Sequence, residues 1–226
     1  MGEKKKKFSL MSAILSVICV VFVAEAAAPV AAIGNSQFFW WIFLLAAFLL
    51  PYGLISSELG TTYIGDGGIY DWVTQAFGHR WGSRVSWYYW INYPLWLASL
   101  AVVCPDLLTT ITGIEFSTIP AILIELVFIW VIVWISFYPV ADSVWILNGA
   151  AVIKMLLAIL IGALGLYTFA TKGAANEFTL SSMLPSFDLN SLSFISVIIF
   201  NLLGFEVICT FADDMEDPKK QIPQSI

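Results

Sequence analysis

Long apolar stretches separated by short polar loops account for most of the chain, and six of them lie near residues 8–33, 38–57, 85–110, 117–138, 143–170 and 191–213. The hydrocarbon layer of a bilayer is about 30 Å thick, so a helix needs roughly 20 apolar residues to cross it. Lipid offers no partner to an unpaired backbone group, so runs of this length are predicted to be α-helical throughout. The expected fold class is therefore an all-α membrane protein, with six transmembrane helices in a single transmembrane domain over residues 1–226. The basic opening MGEKKKK followed by an apolar run resembles a signal peptide, but the run is too long and no small-residue cleavage site ends it. It is read as the first transmembrane helix.

Composition agrees with this pattern. The 226 residues are 60% hydrophobic and 12% charged, and the mean hydropathy of +0.88 lies far outside the range of soluble domains. Charge then sets a direction. If all six runs cross, eight of the ten Lys and Arg residues (Lys4 to Lys7, Arg80, Arg84, Lys219 and Lys220) fall on one side, which the positive-inside rule makes the cytoplasm. The N-terminus is expected there too, in the plasma membrane. Trp40, Trp41, Trp81 and Trp87 lie near predicted span ends, as interfacial anchors would. The net charge of −6 is spread over short loops and names no partner. Cys19, Cys104 and Cys209 sit singly in apolar runs and read as small buried hydrophobes, and His79 has no second ligand at metal spacing.

Several ionisable residues fall inside the runs: Glu25, Asp106, Glu125, Lys154 and Glu206. Each costs roughly 2.5–3.5 kcal/mol at a helix centre on insertion scales, so such groups face a cavity, pair with one another or mark a solute path. Asp106 and Glu125, near their span ends, read as structural. Glu25 and Glu206 each stand beside a weak point in a helix. The first run reads VAEAAAPVAAIG, where Pro29 removes an amide donor and disfavours helical geometry before it. The sixth reads NLLGFE, with Gly204 near the midplane. Taken singly, a proline kink or a packing glycine explains either. Taken together, two breakable helices with an acid at each point to a ligand site, because broken backbone at membrane depth is tolerated only where it lines a protein-buried or wet cavity.

At these residues the chain resembles the amino acid/polyamine/organocation transporter superfamily. The second run and its loop, LPYGLISSELGTTYIGDGGIYDWVTQAFG, are similar to that family's Pro-containing helix, Glu-Leu-Gly, Gly-Gly-x-Tyr-x-Trp-Val and Ala-Phe-Gly. The sixth run's GFE with MEDPKKQIP resembles its Gly-x-Glu break and its exit loop. The resemblance implies the N-terminal half of a LeuT-type inverted-repeat fold of five plus five helices, with helices one and six broken and the chain truncated before helices seven to ten. Substrate would sit between helices one and six.

The resemblance also implies roles. Backbone near Ala26, Ala27 and Ala28 would receive a substrate carboxylate, with Glu25 and Glu206 at the site. Backbone near Phe200, Gly204 and Phe205 would receive the ammonium, Phe200 standing where relatives carry an occluding aromatic. Lys154 matches a fifth-helix lysine that replaces a sodium ion in proton-coupled relatives, and a salt bridge to an intramembrane acid is an alternative for it. Tyr93 and Trp96 are cavity or packing aromatics. The chain departs from the family at helix one, where Glu25 and Ala26 to Pro29 replace a Gly-Ser-Gly-like or Gly-Ala-Gly-like break, and at Ile64, which replaces a loop proline.

The expected function is secondary active transport of amino acids or related amines by alternating access, proton-coupled or by exchange. A non-transporting membrane sensor or partner subunit is the alternative. No nucleophile and base converge, so an enzyme is not expected, and the chain has no nucleotide loop for a pump. The expected partners are an amino acid or amine, the lipid bilayer and protons, with no cofactor and no nucleic acid.

Overall fold

The computed structural model describes residues 8–23, 28–138, 140–174, 178–185 and 187–226. Among them the secondary structure is helical, apart from an isolated parallel bridge between Phe8 and Met215. Five helical stretches are long and apolar enough to cross a membrane: Ser36–Thr62, His79–Thr112, Thr118–Ser136, Ser143–Lys172 and Ser191–Asp214. A shorter apolar helix, α1 (Leu10–Val21), precedes them.

Two compact units emerge, Met1–Gly68 with Val144–Ile226, and Ile69–Ser143. In the first unit, α1 starts at Ser9, whose hydroxyl accepts the Ser12 N–H, and stops after Val21, where Phe22 turns to an extended conformation. Its 12 residues reach about 18 Å at 1.5 Å per residue. The run over 8–33 is therefore not one continuous helix. A 3-10 helix, Ala28–Ile33, lies on its far side. Next comes α2 (Ser36–Thr62), which widens at Leu45–Leu49 into a π-turn. Pro51 accounts for the widening, since a proline ring displaces the carbonyl four residues back. Val30, Trp40, Leu44, Ile198 and Leu202 form a buried cluster joining this region to the sixth run.

In the second unit, α3 (Ile69–Phe77) turns at Gly78 (φ +84°) into α4 (His79–Thr112), and α5 (Thr118–Ser136) follows. His79 is the first residue of α4, and its ring Nδ1 lies 3.2 Å from the Tyr70 hydroxyl. Asp106 is exposed and Glu125 half-buried within this unit.

α6 (Val140–Lys172) leads back to the first unit. The sixth run is split. α7 (Leu189–Asn201), capped by Asp188 on the Ser191 N–H, ends before Gly204, and a 3-10 helix, Phe205–Asp214, continues to α8 (Pro218–Ser225). The start of α1 is tied to this exit: Phe8 is buried, its N–H donates to Asp214 O at 2.7 Å, and Gln221 Nε2 donates to Phe8 O at 3.0 Å.

α2 meets the second half of the sixth run at Gly60, where a Cβ would fall 2.6 Å from Cys209 Sγ. On helix propensity alone Gly60→Ala would stabilise α2. Here overpacking dominates, and the substitution is expected to destabilise the protein by about 1–3 kcal/mol. A lower melting temperature in detergent, restored in part by adding Cys209→Ala, is the expected result.

Candidate functional site

Two helix ends meet where the sixth run breaks. Gly204 has φ +103°, a conformation L side chains rarely adopt, and a Cβ there would fall 2.8 Å from Val20 Cγ1 in the last turn of α1. Backbone conformation and neighbour therefore both require glycine. Nearby, a cavity of about 720 Å³ is lined by Val21, Phe22, Met155, Asn201 and Phe205 among other, mainly apolar, residues.

Each helix end holds a charged side chain. Lys154, half-buried on α6, donates from Nζ to the Cys19 carbonyl at 2.8 Å. That carbonyl belongs to the final turn of α1, whose last four oxygens have no acceptor role within the helix, and a cation there also meets the negative end of the helix dipole. Across the break, a Glu206 carboxylate oxygen accepts the Gly204 N–H at 2.9 Å, and Glu206 is only 4% exposed. This acid lies in the first turn of Phe205–Asp214, where the dipole favours negative charge.

Of the residues singled out from sequence, Glu25, Ala26 and Ala27 lie outside the described residues. Ala28 opens the 3-10 helix Ala28–Ile33 and is exposed. Gly204, Phe205 and Glu206 come together at the break with Phe205 buried, whereas Phe200 is 58% exposed on α7. Lys154 reaches a backbone carbonyl and forms no ion pair among the described residues. Two neighbours escaped the sequence reading. The Tyr52 ring packs on Phe205 with centroids 4.9 Å apart and its hydroxyl donates toward Glu206. Asn201, buried beside the cavity, donates to Val197 O at 3.0 Å. An Asn in the apolar FNLLGFE was a visible signal; Tyr52, four apolar runs earlier in the chain, carried none.

Because the Gly204 N–H loses its acceptor, Glu206→Ala is expected to cost about 1–3 kcal/mol. Glu206→Gln, which keeps an accepting oxygen, should cost less. Thermal unfolding of the two variants in detergent, followed by tryptophan fluorescence, checks the order.

Comparison with known proteins adds the family. The amino acid permease family model matches residues 8–226. The probable agmatine/putrescine antiporter AguD of Lactococcus lactis subsp. lactis (strain IL1403) is 75% identical over all of this chain and 48% of its own length. The aspartate/glutamate permease AcaP of Lactococcus lactis subsp. cremoris (strain MG1363) is 24% identical, over 82% of this chain and 40% of its own. The polyamine transporter RMV1 of Arabidopsis thaliana is 24% identical, over 89% and 39%. The chain thus spans about half the length of the curated relatives it matches. No solved structure matches. With two interrupted apolar helices closing on one cavity and a family match along nearly the whole chain, this integral membrane protein belongs to the amino acid permease family, within the amino acid/polyamine/organocation superfamily.

Proposed function

We propose that the chain takes part in exchange of small amines across the plasma membrane by alternating access, crossing six times with its N-terminus in the cytoplasm. The observation that carries this reading is the meeting of the last turn of α1 with the Gly204 break beside the cavity. Interrupted helices at membrane depth are the usual ligand-holding device of secondary transporters.

The relatives guide the substrate class. One is named an agmatine/putrescine antiporter and another a polyamine transporter. Agmatine and putrescine carry positive charge and no carboxylate. A substrate without a carboxylate needs no glycine-lined amide nest, and helix one here offers Glu25 and three alanines instead. Glu25 supplies the negative charge for an ammonium or guanidinium, and the apolar wall formed by residues such as Val21, Met155 and Phe205 suits an aliphatic spacer. Glu206 is engaged with the Gly204 amide and acts on the substrate through the shape of the break. The Lys154 amine holds the carbonyl end of α1 and takes the proton-coupling role.

The test is counterflow in proteoliposomes carrying the full-length protein. Agmatine-loaded vesicles should take up labelled putrescine, and external agmatine should compete where aspartate does not; uptake that ignores internal amine, or equal competition by aspartate, overturns the proposal. Lys154→Ala removes a charge-assisted hydrogen bond worth about 1.5–3 kcal/mol and should slow exchange about tenfold or more while membrane insertion persists. Glu25→Gln should weaken competition by diamines, and an unchanged inhibition curve would remove Glu25 from the site.

A further inference from the structure

The first turns of α1 carry serines at one helical face: Ser9, Ser12 and Ser16, with the Cys19 carbonyl a turn beyond. Opposite them on α6 stand Asn148, Ala151 and Lys154. Asn148 Nδ2 donates to Ser12 Oγ at 3.3 Å and Lys154 Nζ to Cys19 O at 2.8 Å, with sequence offsets of 136 and 135. Nearly equal offsets mean that α1 and α6 run in the same direction along this seam.

The seam becomes progressively shielded. Ser9 is exposed and donates from Oγ to Ser12 Oγ at 3.1 Å; Ser12 is 9% exposed and Ser16 4%. Between Asn148 and Lys154, Ala151 is fully buried and has only a methyl to fill the space. Ser16 Oγ and Asn148 Oδ1 are both shut off from solvent and have no hydrogen-bond partner among the described residues. A buried polar group without a partner costs about 1–3 kcal/mol, and two on facing walls of one seam doubles the demand. Buried water meets such a demand, because a water molecule makes 2–4 hydrogen bonds to polar groups that the protein leaves unpaired, at about 3 on average. Alanine at 151 and serines on α1 keep the side chains along the seam small.

We propose that the α1–α6 seam binds a short file of water running from Ser9 past Ser12, Asn148 and Ser16 to the Lys154 ammonium. Ser16 Oγ and Asn148 Oδ1 hold its middle, and the Ser9 end opens to the aqueous phase at the start of α1. The file gives the Lys154 amine contact with water on one side of the membrane, independently of the substrate cavity and of whichever solute is carried.

Chemical access tests this without transport. In a full-length, cysteine-free background reconstituted into sided vesicles, Ser16→Cys is exposed to a small methanethiosulfonate reagent with a fixed positive charge, applied to one face and then the other. Labelling should occur from the face where α1 begins, and adding Asn148→Leu, which plugs the seam with an apolar side chain, should abolish it. Ala13→Cys, fully buried on α1, should stay unlabelled. Should Ser16→Cys fail to insert, Asn148→Cys on the opposite wall is read the same way, with Ser16→Leu as the plug. Labelling no faster than at Ala13→Cys, labelling from the other face, or labelling that survives the plug each overturns the proposal. Because the readout is thiol modification, a failure of amine exchange leaves it intact, and the reverse also holds.

Discussion

An apolar layer cannot satisfy a free peptide group, so a helix that stops inside it must find partners for its last carbonyls and first amides. This chain stops two helices there and meets the demand with charge. At the carbonyl end of α1 the Lys154 ammonium takes the Cys19 oxygen, and at the amide end of Phe205–Asp214 the Glu206 carboxylate takes the Gly204 N–H. Each sign matches the local helix dipole, an effect of roughly 0.3–1 kcal/mol at exposed sites and up to about 2 in partly buried ones. Intramembrane charge, costly by itself, here compensates an equally costly interruption.

Packing then brings the two interruptions together. Gly204 adopts a left-handed conformation with no room for a Cβ against Val20, and Gly60 lets α2 approach Cys209 just beyond. The same second half of the sixth run is secured at its far end, where Asp214 and Gln221 hold the buried Phe8. Phe8, just before α1, and Val20, in its last turn, thus both lie against one short stretch, residues 204–214, whose helix Phe205–Asp214 is of the tighter 3-10 kind. Short hydrogen-bonded pieces joined by caps have more freedom to rearrange than a continuous α-helix, which is what the exchange proposed above would use.

Much of the fold could be read from hydrophobic periodicity, but not every boundary. Five runs are long apolar helical stretches, as their length and composition imply. Glu25 and Pro29 mark the run over 8–33 as breakable, but an apolar stretch looks the same whether or not its helix continues, and only the turn at Phe22 shows that α1 ends before those residues. Gly204 was visible because a glycine amid large apolar residues is locally conspicuous. Tyr52 was not, since its contact with Phe205 and Glu206 joins positions more than 150 residues apart. Nor was the Lys154 partner: a salt bridge to an acid was the natural alternative, yet its amine finds a backbone oxygen.

By itself the sequence determined that this is a helical membrane protein, which of its runs are apolar, and where charge and glycine interrupt them, because the bilayer acts on each segment locally through its hydrophobicity. Tertiary structure alone decided which interruptions meet, that Glu206 turns back onto Gly204, and that Asn148 reaches Ser12 through Nδ2 while its Oδ1 and the Ser16 Oγ are left without a hydrogen-bond partner among the described residues. Those outcomes depend on the register and direction of helices distant along the chain, and no local pattern of hydrophobic and polar residues encodes them.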